Sequence, residues 1–140
     1  MVELIRVKSS ALELVKQLIR IERPLLKEYY SSILTKEEFL NISFFLKKEI
    51  VIEEIKEKKY EFYLIKDKLK LIGFLEIQKK EESLYVSKFF IIKKYREQGY
   101  GLKIIELLKK KAQKLNINSK FRLLTGKIKF ILFFCPGVLP

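Results

Sequence analysis

The residues best suited to do chemistry in this 140-residue chain form one short segment, Arg96-Glu97-Gln98-Gly99-Tyr100-Gly101. It lies between an apolar run, Leu84 to Ile92, and a helical pattern, Leu102 to Leu115. Glycines at i and i+2 before a helix let the backbone approach a ligand closely, because no Cβ stands in the way. The N–H groups of a helix's first turn lack intrahelical acceptors and, with the helix dipole, form a site for anions, above all phosphate. Arg96, Lys94 and Lys103 add positive charge around it. The same spacing also occurs as plain loop chemistry. It is not a Walker A loop, since no Gly-Lys-Ser/Thr follows. Nor is it the dinucleotide fingerprint, which needs a third glycine and an N-terminal βαβ unit.

The composition narrows the chemistry. There is no His, one Cys and no Trp. Without His there is no Ser-His-Asp or Cys-His catalysis, no HExxH metal site and no imidazole switch. Cys135 alone makes neither an intramolecular disulfide nor a CxxC zinc site. The expectation is a reducing, cytoplasmic setting and no metal, with any proton carried by carboxylate, Tyr, Lys or water. The N-terminus alternates charged and apolar residues and reads as lacking a secretory signal. Phe130 to Cys135 is far too short an apolar run to span a bilayer.

The 30 Lys and Arg against 17 Asp and Glu give a net charge of +13. Excess Lys, Ile, Phe and Tyr with little Ala, Gly and Pro is what an AT-rich coding sequence produces. The distribution says more than the total. Residues 1–70 carry 15 basic and 12 acidic side chains, residues 71–140 carry 15 and 5, and none is acidic after Glu106. The natural partner of the second half is an anion.

The elements that must position the glycine segment follow from periodicity. Residues 2–7 alternate as a half-buried strand. Ser9 or Ser10 suits a cap for a helix with Ala11, Leu14, Val15 and Leu18 on one face, and Pro24 is expected to break or restart it. Thr35-Lys36-Glu37-Glu38 is a capping-box pattern, with helical character to about Lys59 and a break near Lys47 to Ile50. Tyr60 to Ile65 and Leu69 to Gln78 read as strands joined by Lys66-Asp67-Lys68. Lys79 to Glu82 reads as a second turn, and Leu84 to Ile92 as a buried central strand. The helix after Gly101 carries Ile104, Ile105, Leu108, Ala112 and Leu115 on one face, and residues 120–134 read as strand. One mixed α/β domain results.

In that setting the chain resembles the GNAT superfamily of acyl-CoA N-acyltransferases. Arg96-x-x-Gly99-x-Gly101 fits the family's Gln/Arg-x-x-Gly-x-Gly/Ala signature after its fourth strand. Tyr60 to Ile65 and Leu71 to Glu76 resemble its β2–β3 hairpin, and Leu84 to Ile92 its β4. The resemblance implies a central mixed, mostly antiparallel sheet flanked by helices, in a domain of residues 1–126. It implies acetyl-CoA as cosubstrate, its pyrophosphate on the amides of Glu97, Gln98, Gly99, Tyr100, Gly101 and Leu102 beside Arg96. Its pantetheine arm would pair with Phe89, Phe90 and Ile91. A β4 amide would polarise the thioester, and a primary amine of a small molecule or peptide would attack directly. Glu76, Tyr85 or a water chain would take the amine's proton; Glu76 equally suits a solvated strand face, and Tyr85 packing.

Three departures stand beside the resemblance. Glu97 occupies a position where the family usually has Gly or a basic residue, and Lys93 one where many members have Pro. The segment 127–140, apolar and acid-free, matches nothing in the family's closing helix and strand and reads as out-of-frame or truncated coding. Two other readings therefore remain. One is an inactive remnant whose incomplete sheet exposes Phe130 to Phe134 as an aggregation or homodimer edge. The other is a basic nucleic-acid-binding module using Lys79, Lys80, Lys93, Lys94 and Lys109 to Lys111, though no helix-turn-helix, RRM or zinc pattern accompanies those lysines.

Overall fold

The computed structural model describes residues 1–31, 33–43, 48–57, 60–80, 83–114, 121–123 and 133–134. Along the chain these form β1 (Val2–Val7), α1 (Leu12–Tyr30), α2 (Lys36–Ser43), α3 (Lys48–Lys56), β2 (Tyr60–Asp67), β3 (Lys70–Lys80), β4 (Ser83–Ile91), a 3-10 turn (Lys93–Tyr95), α4 (Tyr100–Lys114), β5 (Phe121–Leu123) and β6 (Phe133–Phe134). The strands make one six-stranded sheet in the order β1-β2-β3-β4-β5-β6. Every pairing is antiparallel except β4 with β5, which is parallel.

Strand alternation gives the sheet two apolar faces, each roofed by helices. On one face Tyr63, Ile65, Leu75, Ile77 and Val86 pack with Ile104, Ile105, Leu108 and Ala112 of α4. On the other, Phe62, Leu64 and Phe74 pack with Val15, Leu18, Ile21 and Leu25 of α1 and Val51 of α3. Gly73 is required where β3 meets β4: a Cβ there would lie 2.0 Å from the Phe90 carbonyl oxygen.

Four local expectations change. Pro24 does not break α1, which continues to Tyr30. Pro24 and Arg20, the residue four back whose carbonyl loses its donor, both lie on the exposed side of the helix, where the loss of that bond is least costly. Neither Ser9 nor Ser10 caps α1; its N-cap is Ala11, with no side-chain cap bond. Helical structure stops at Lys56, short of Lys59, and β3 runs on to Lys80, so strand takes up the first half of the expected second turn, whose residues 81 and 82 lie outside the described residues. The capping box forms as expected: the Thr35 N–H donates to Glu38 Oε1 at 2.9 Å, and the Glu38 N–H donates to Thr35 Oγ1 at 3.1 Å. β5 occupies the start of the expected closing strand, and β6 pairs with it. The remainder of residues 124–140 lies outside the described residues. Among the described residues no helix is long and apolar enough to cross a membrane.

Candidate acyl-transfer site

The exposed loop Arg96 to Gly99 leads from β4 into α4. Glu97 has φ 63° and Gly99 φ 83°, both left-handed. The reversal that turns a strand end into a helix start is therefore built from two positive-φ residues, only one of them a glycine. Lys103 N–H donates to Gly99 O at 3.4 Å, the first turn of α4. The amides of Gly99, Tyr100, Gly101 and Leu102 precede that bond and have no intrahelical acceptor.

Arg96 is committed elsewhere. Its Nε donates to Ile91 O at 2.8 Å, and its guanidinium lies 2.6 Å from Glu28 Oε1 at the end of α1. It braces the loop against strand and helix. Gln98 Nε2 donates to Lys94 O at 3.1 Å within the same loop. The Tyr100 hydroxyl donates to Asp67 Oδ2 at 2.7 Å, tying the α4 start to the β2–β3 turn. That bond and the Met1 ammonium, 3.0 Å from Oδ1, hold the Asp67 carboxyl below the usual range.

Strand β4 pairs with β3 along one edge and, among the described residues, with β5 from Leu84–Phe121 to Val86–Leu123 along the other; residues 124–132, which follow β5, lie outside the described residues. Ile92 N–H donates to Ile72 O at 2.8 Å. By antiparallel alternation the peptide groups of Phe90 then turn to β3, and those of Phe89 and Ile91 to the opposite edge. Arg96 taking Ile91 O agrees with that phase. No strand covers this edge beyond Val86 among the described residues. The Phe90 ring packs inward, stacked on Phe74 at 5.5 Å between centroids and edge-on to Tyr29 at 5.7 Å.

A bulge interrupts the β3–β4 ladder. Glu76 pairs with Lys88, but Ile77 pairs with Val86, leaving Ser87 as the extra residue. Ser87 Oγ donates to Glu76 Oε2 at 2.7 Å. Tyr85 stands just before the bulge, paired with Gln78 and Arg122; its side chain lies outside the described residues.

Beside the bulge, on the α1 face, is a cluster that no motif announces. Lys88 Nζ lies 3.4 Å from Glu22 Oε1 of α1 and 3.8 Å from Glu76 Oε2. Glu22 is 2% exposed, and its second oxygen, Oε2, is buried with no hydrogen-bond partner among the described residues. Burial, opposed by Lys88 and assisted by Glu76 and Glu54, pushes its carboxyl up to about 7. Glu54 of α3 is also raised, by burial first. Burial opposes charge on Lys88, but Glu22, Glu76 and Glu54 outweigh it and raise its pKa. Sequence reasoning selected Glu76 and passed over Glu22, Glu54 and Lys88. A usable signal existed: Leu18, Ile21, Glu22 and Leu25 occupy i, i+3, i+4 and i+7, which sets a carboxylate on the apolar stripe of α1.

A mixed sheet with helices on both faces, in which a central strand leads through a left-handed turn into a helix start, defines the class as an α/β domain. Comparison with known proteins narrows the class. Residues 30–125 match the model of the acetyltransferase (GNAT) domain, and the chain belongs to that family. The fold is shared with solved structures of low sequence identity. PaiA N-acetyltransferase from Thermoplasma acidophilum, solved with coenzyme A, is 19% identical, with a TM-score of 0.74 over 93% of this chain and 82% of that one. An aminoglycoside acetyltransferase from an uncultured soil metagenomic sample, solved with sisomicin, is 14% identical, with a TM-score of 0.64 over 92% and 80%. Ribosomal-protein-alanine N-acetyltransferase from Brucella melitensis is 16% identical, with a TM-score of 0.59 over 91% and 82%. No curated protein sequence matches the chain.

Proposed function

We propose that this protein transfers the acetyl group of acetyl-CoA directly to a primary amine, within a domain spanning residues 1–126. The observation that carries the reading is the phase of the β4 backbone, which turns the peptide groups of Phe89 and Ile91 to the edge opposite β3, just before the left-handed Gly99 turn into α4. That edge offers peptide groups of Phe89 and Ile91 to an amide-containing arm, and it leads to the helix start of α4. There the amides of Gly99, Tyr100, Gly101 and Leu102 would receive the pyrophosphate, with Glu97 and Gln98 in the same loop. Arg96 contributes by holding that loop in shape through Ile91 and Glu28.

The chemistry asks little of side chains. The amine nitrogen attacks the thioester carbonyl, the carbon–sulfur bond breaks, and the sulfur leaves as thiolate. A backbone amide near the bulge, where the ladder is interrupted, can polarise the carbonyl; one such donor is typically worth ~10²–10³ in rate. No His and no activated Cys is needed. The acceptor must shed a proton first, and the groups nearest the bulge on the α1 face are Glu76, Ser87 and Lys88. Tyr85, adjacent in β4, is the other candidate for that proton.

Thermal denaturation with acetyl-CoA tests the reading. At 100 times its dissociation constant the ligand should add ~2.7 kcal/mol to stability. Gly99→Val, forced to φ 83°, should remove most of the shift. No shift at millimolar acetyl-CoA would sink the acetyltransferase assignment.

A further inference from the structure

We infer that Glu22 of α1 is the proton acceptor for the amine, the residue that converts the acceptor's ammonium into a nucleophile. This rests on the acetyltransferase reading and adds to it the group that performs its first step.

Three observations converge. The first is place. Glu22 contacts Lys88, the residue immediately after the Ser87 bulge, so it lies against the stretch of β4 between the bulge and the backbone groups of Phe89 and Ile91 that turn away from β3. The second is an unused bonding capacity. Glu22 Oε2 is the buried side-chain oxygen without a partner among the described residues. A carboxylate oxygen accepts only, and an unpaired buried acceptor is costly. An entering ammonium N–H, or the proton it leaves behind, supplies what that oxygen lacks. The third is charge. Glu22, Glu54 and Glu76 place three carboxylates around the single ammonium of Lys88. The surplus is negative and attracts a cationic acceptor. The solvent-facing members are Lys88, whose side chain is 29% exposed, and Glu54.

The step balances. The ammonium gives one proton to Glu22 Oε2 and becomes a neutral amine. Its lone pair forms the new carbon–nitrogen bond as the carbon–sulfur bond breaks. The second proton leaves the nitrogen for the thiolate, giving amide and thiol, and Glu22 then returns its proton to solvent. A base that holds its proton near neutrality suits this role. The raised affinity of Glu22, about 7, fits it. Glu76 Oε2 already accepts from Ser87 and faces Lys88, which leaves it the modulator of Glu22.

The test uses thiol release from acetyl-CoA, with 1,5-diaminopentane and an acetylated lysine amide as acceptor probes. Glu22→Gln should lower kcat/KM ~10²–10⁴-fold and abolish the acidic limb of the pH profile. Two neighbouring variants should move that limb in opposite directions. Lys88→Met removes a positive charge that favours ionised Glu22, so the limb shifts to higher pH. Glu76→Gln removes a negative charge, so the limb shifts to lower pH. A merely structural Glu22 predicts no such opposition. Carbon-detected NMR of the wild-type Glu22 carboxyl, which needs no variant, should show titration near neutrality. The assignment is overturned if Glu22 titrates as an ordinary carboxylate. It is equally overturned if wild type transfers acetyl groups while the limb stays fixed in both neighbours. Wild type that neither binds acetyl-CoA nor releases thiol with either probe would overturn the acetyltransferase reading, and the proton acceptor with it.

Discussion

Glu22 and Glu61 are both buried glutamates, 2% and 5% exposed, and they face opposite sides of one sheet. Glu61, on β2 under α4, is surrounded by donors. The Tyr63 hydroxyl donates to its Oε1, Lys111 Nζ lies 3.7 Å from that oxygen, and the Arg6 guanidinium lies 3.7 Å from Oε2. Lys111 also stands over the Tyr63 ring at 5.2 Å. Burial and the bond to Glu61 raise the Tyr63 pKa, which keeps the phenol a donor. Glu22, on α1, has one lysine shared with two other carboxylates and an oxygen with no partner among the described residues. Burial alone therefore does not mark a functional carboxylate. The contrast lies in satisfaction: Glu61 has its bonding capacity filled by the fold, and Glu22 retains capacity for something that arrives.

Stability against pH separates the two residues most widely. The Glu22 carboxyl is raised from 4.5 to about 7 in the folded protein. Below about 4.5 it is protonated whether folded or unfolded. Between these values the unfolded chain ionises first, so the native state binds more protons and stability falls as pH rises, levelling off above about 7. At 1.36 kcal/mol per pKa unit the loss is of order 3 kcal/mol. Glu22→Gln should match wild type in urea midpoint at pH 4 and exceed it by up to that amount at pH 8. A difference that does not grow with pH would remove the raised proton affinity of Glu22 on which its contrast with Glu61 partly rests.

Glu61 should behave in the opposite sense. Glu61→Leu keeps the volume but strands the Tyr63 hydroxyl and two cations. A buried donor without its acceptor costs about 1–3 kcal/mol, so the urea midpoint should drop. Thiol release at saturating acetyl-CoA should hardly change below the unfolding transition. A fall in turnover comparable to that of Glu22→Gln would dissolve the distinction between a filled carboxylate and an available one.

How much of this the sequence discloses depends on the range over which each feature is written. The glycine loop is local: Gly99, Gly101 and the following amphipathic stretch lie within one short segment, and the helix start is there. The capping box at Thr35 and the β2–β3 hairpin are local too, and both form. Pro24 misleads because propensity carries no information about which side of α1 faces water. The left-handed turn at Glu97 is invisible because a glutamate is a poor marker for positive φ. The Ser87 bulge escapes notice because it exists only as a register shift against β3. The Glu22–Glu76–Lys88 cluster is the extreme case. Its members are 66 residues apart between Glu22 and Lys88, and only the folded sheet brings them together. The family resemblance points to the glycine loop and the β4 backbone, which one short segment of sequence carries, and is silent on the Glu22 cluster.

The smallest effect is expected at Ser87, and it tests which carboxylate of the cluster is used. Ser87 Oγ donates to Glu76, at 2.7 Å to Oε2 and 3.2 Å to the backbone oxygen. Ser87→Ala deletes that tie and leaves Glu76 facing Lys88 alone among the described contacts, 3.8 Å away. A typical net hydrogen bond is worth about 1 kcal/mol, so the urea midpoint should fall slightly. Glu22 keeps its lysine and its unpartnered oxygen in this variant, so kcat/KM should stay within about tenfold of wild type, far from the ~10²–10⁴ ascribed to a lost base. The acidic limb of the pH profile should hold its slope. If Ser87→Ala instead costs as much turnover as Glu22→Gln, the proton passes through the Ser87–Glu76 pair. Glu76 would then be the base, and the unpartnered oxygen of Glu22 would serve only to draw the cation in.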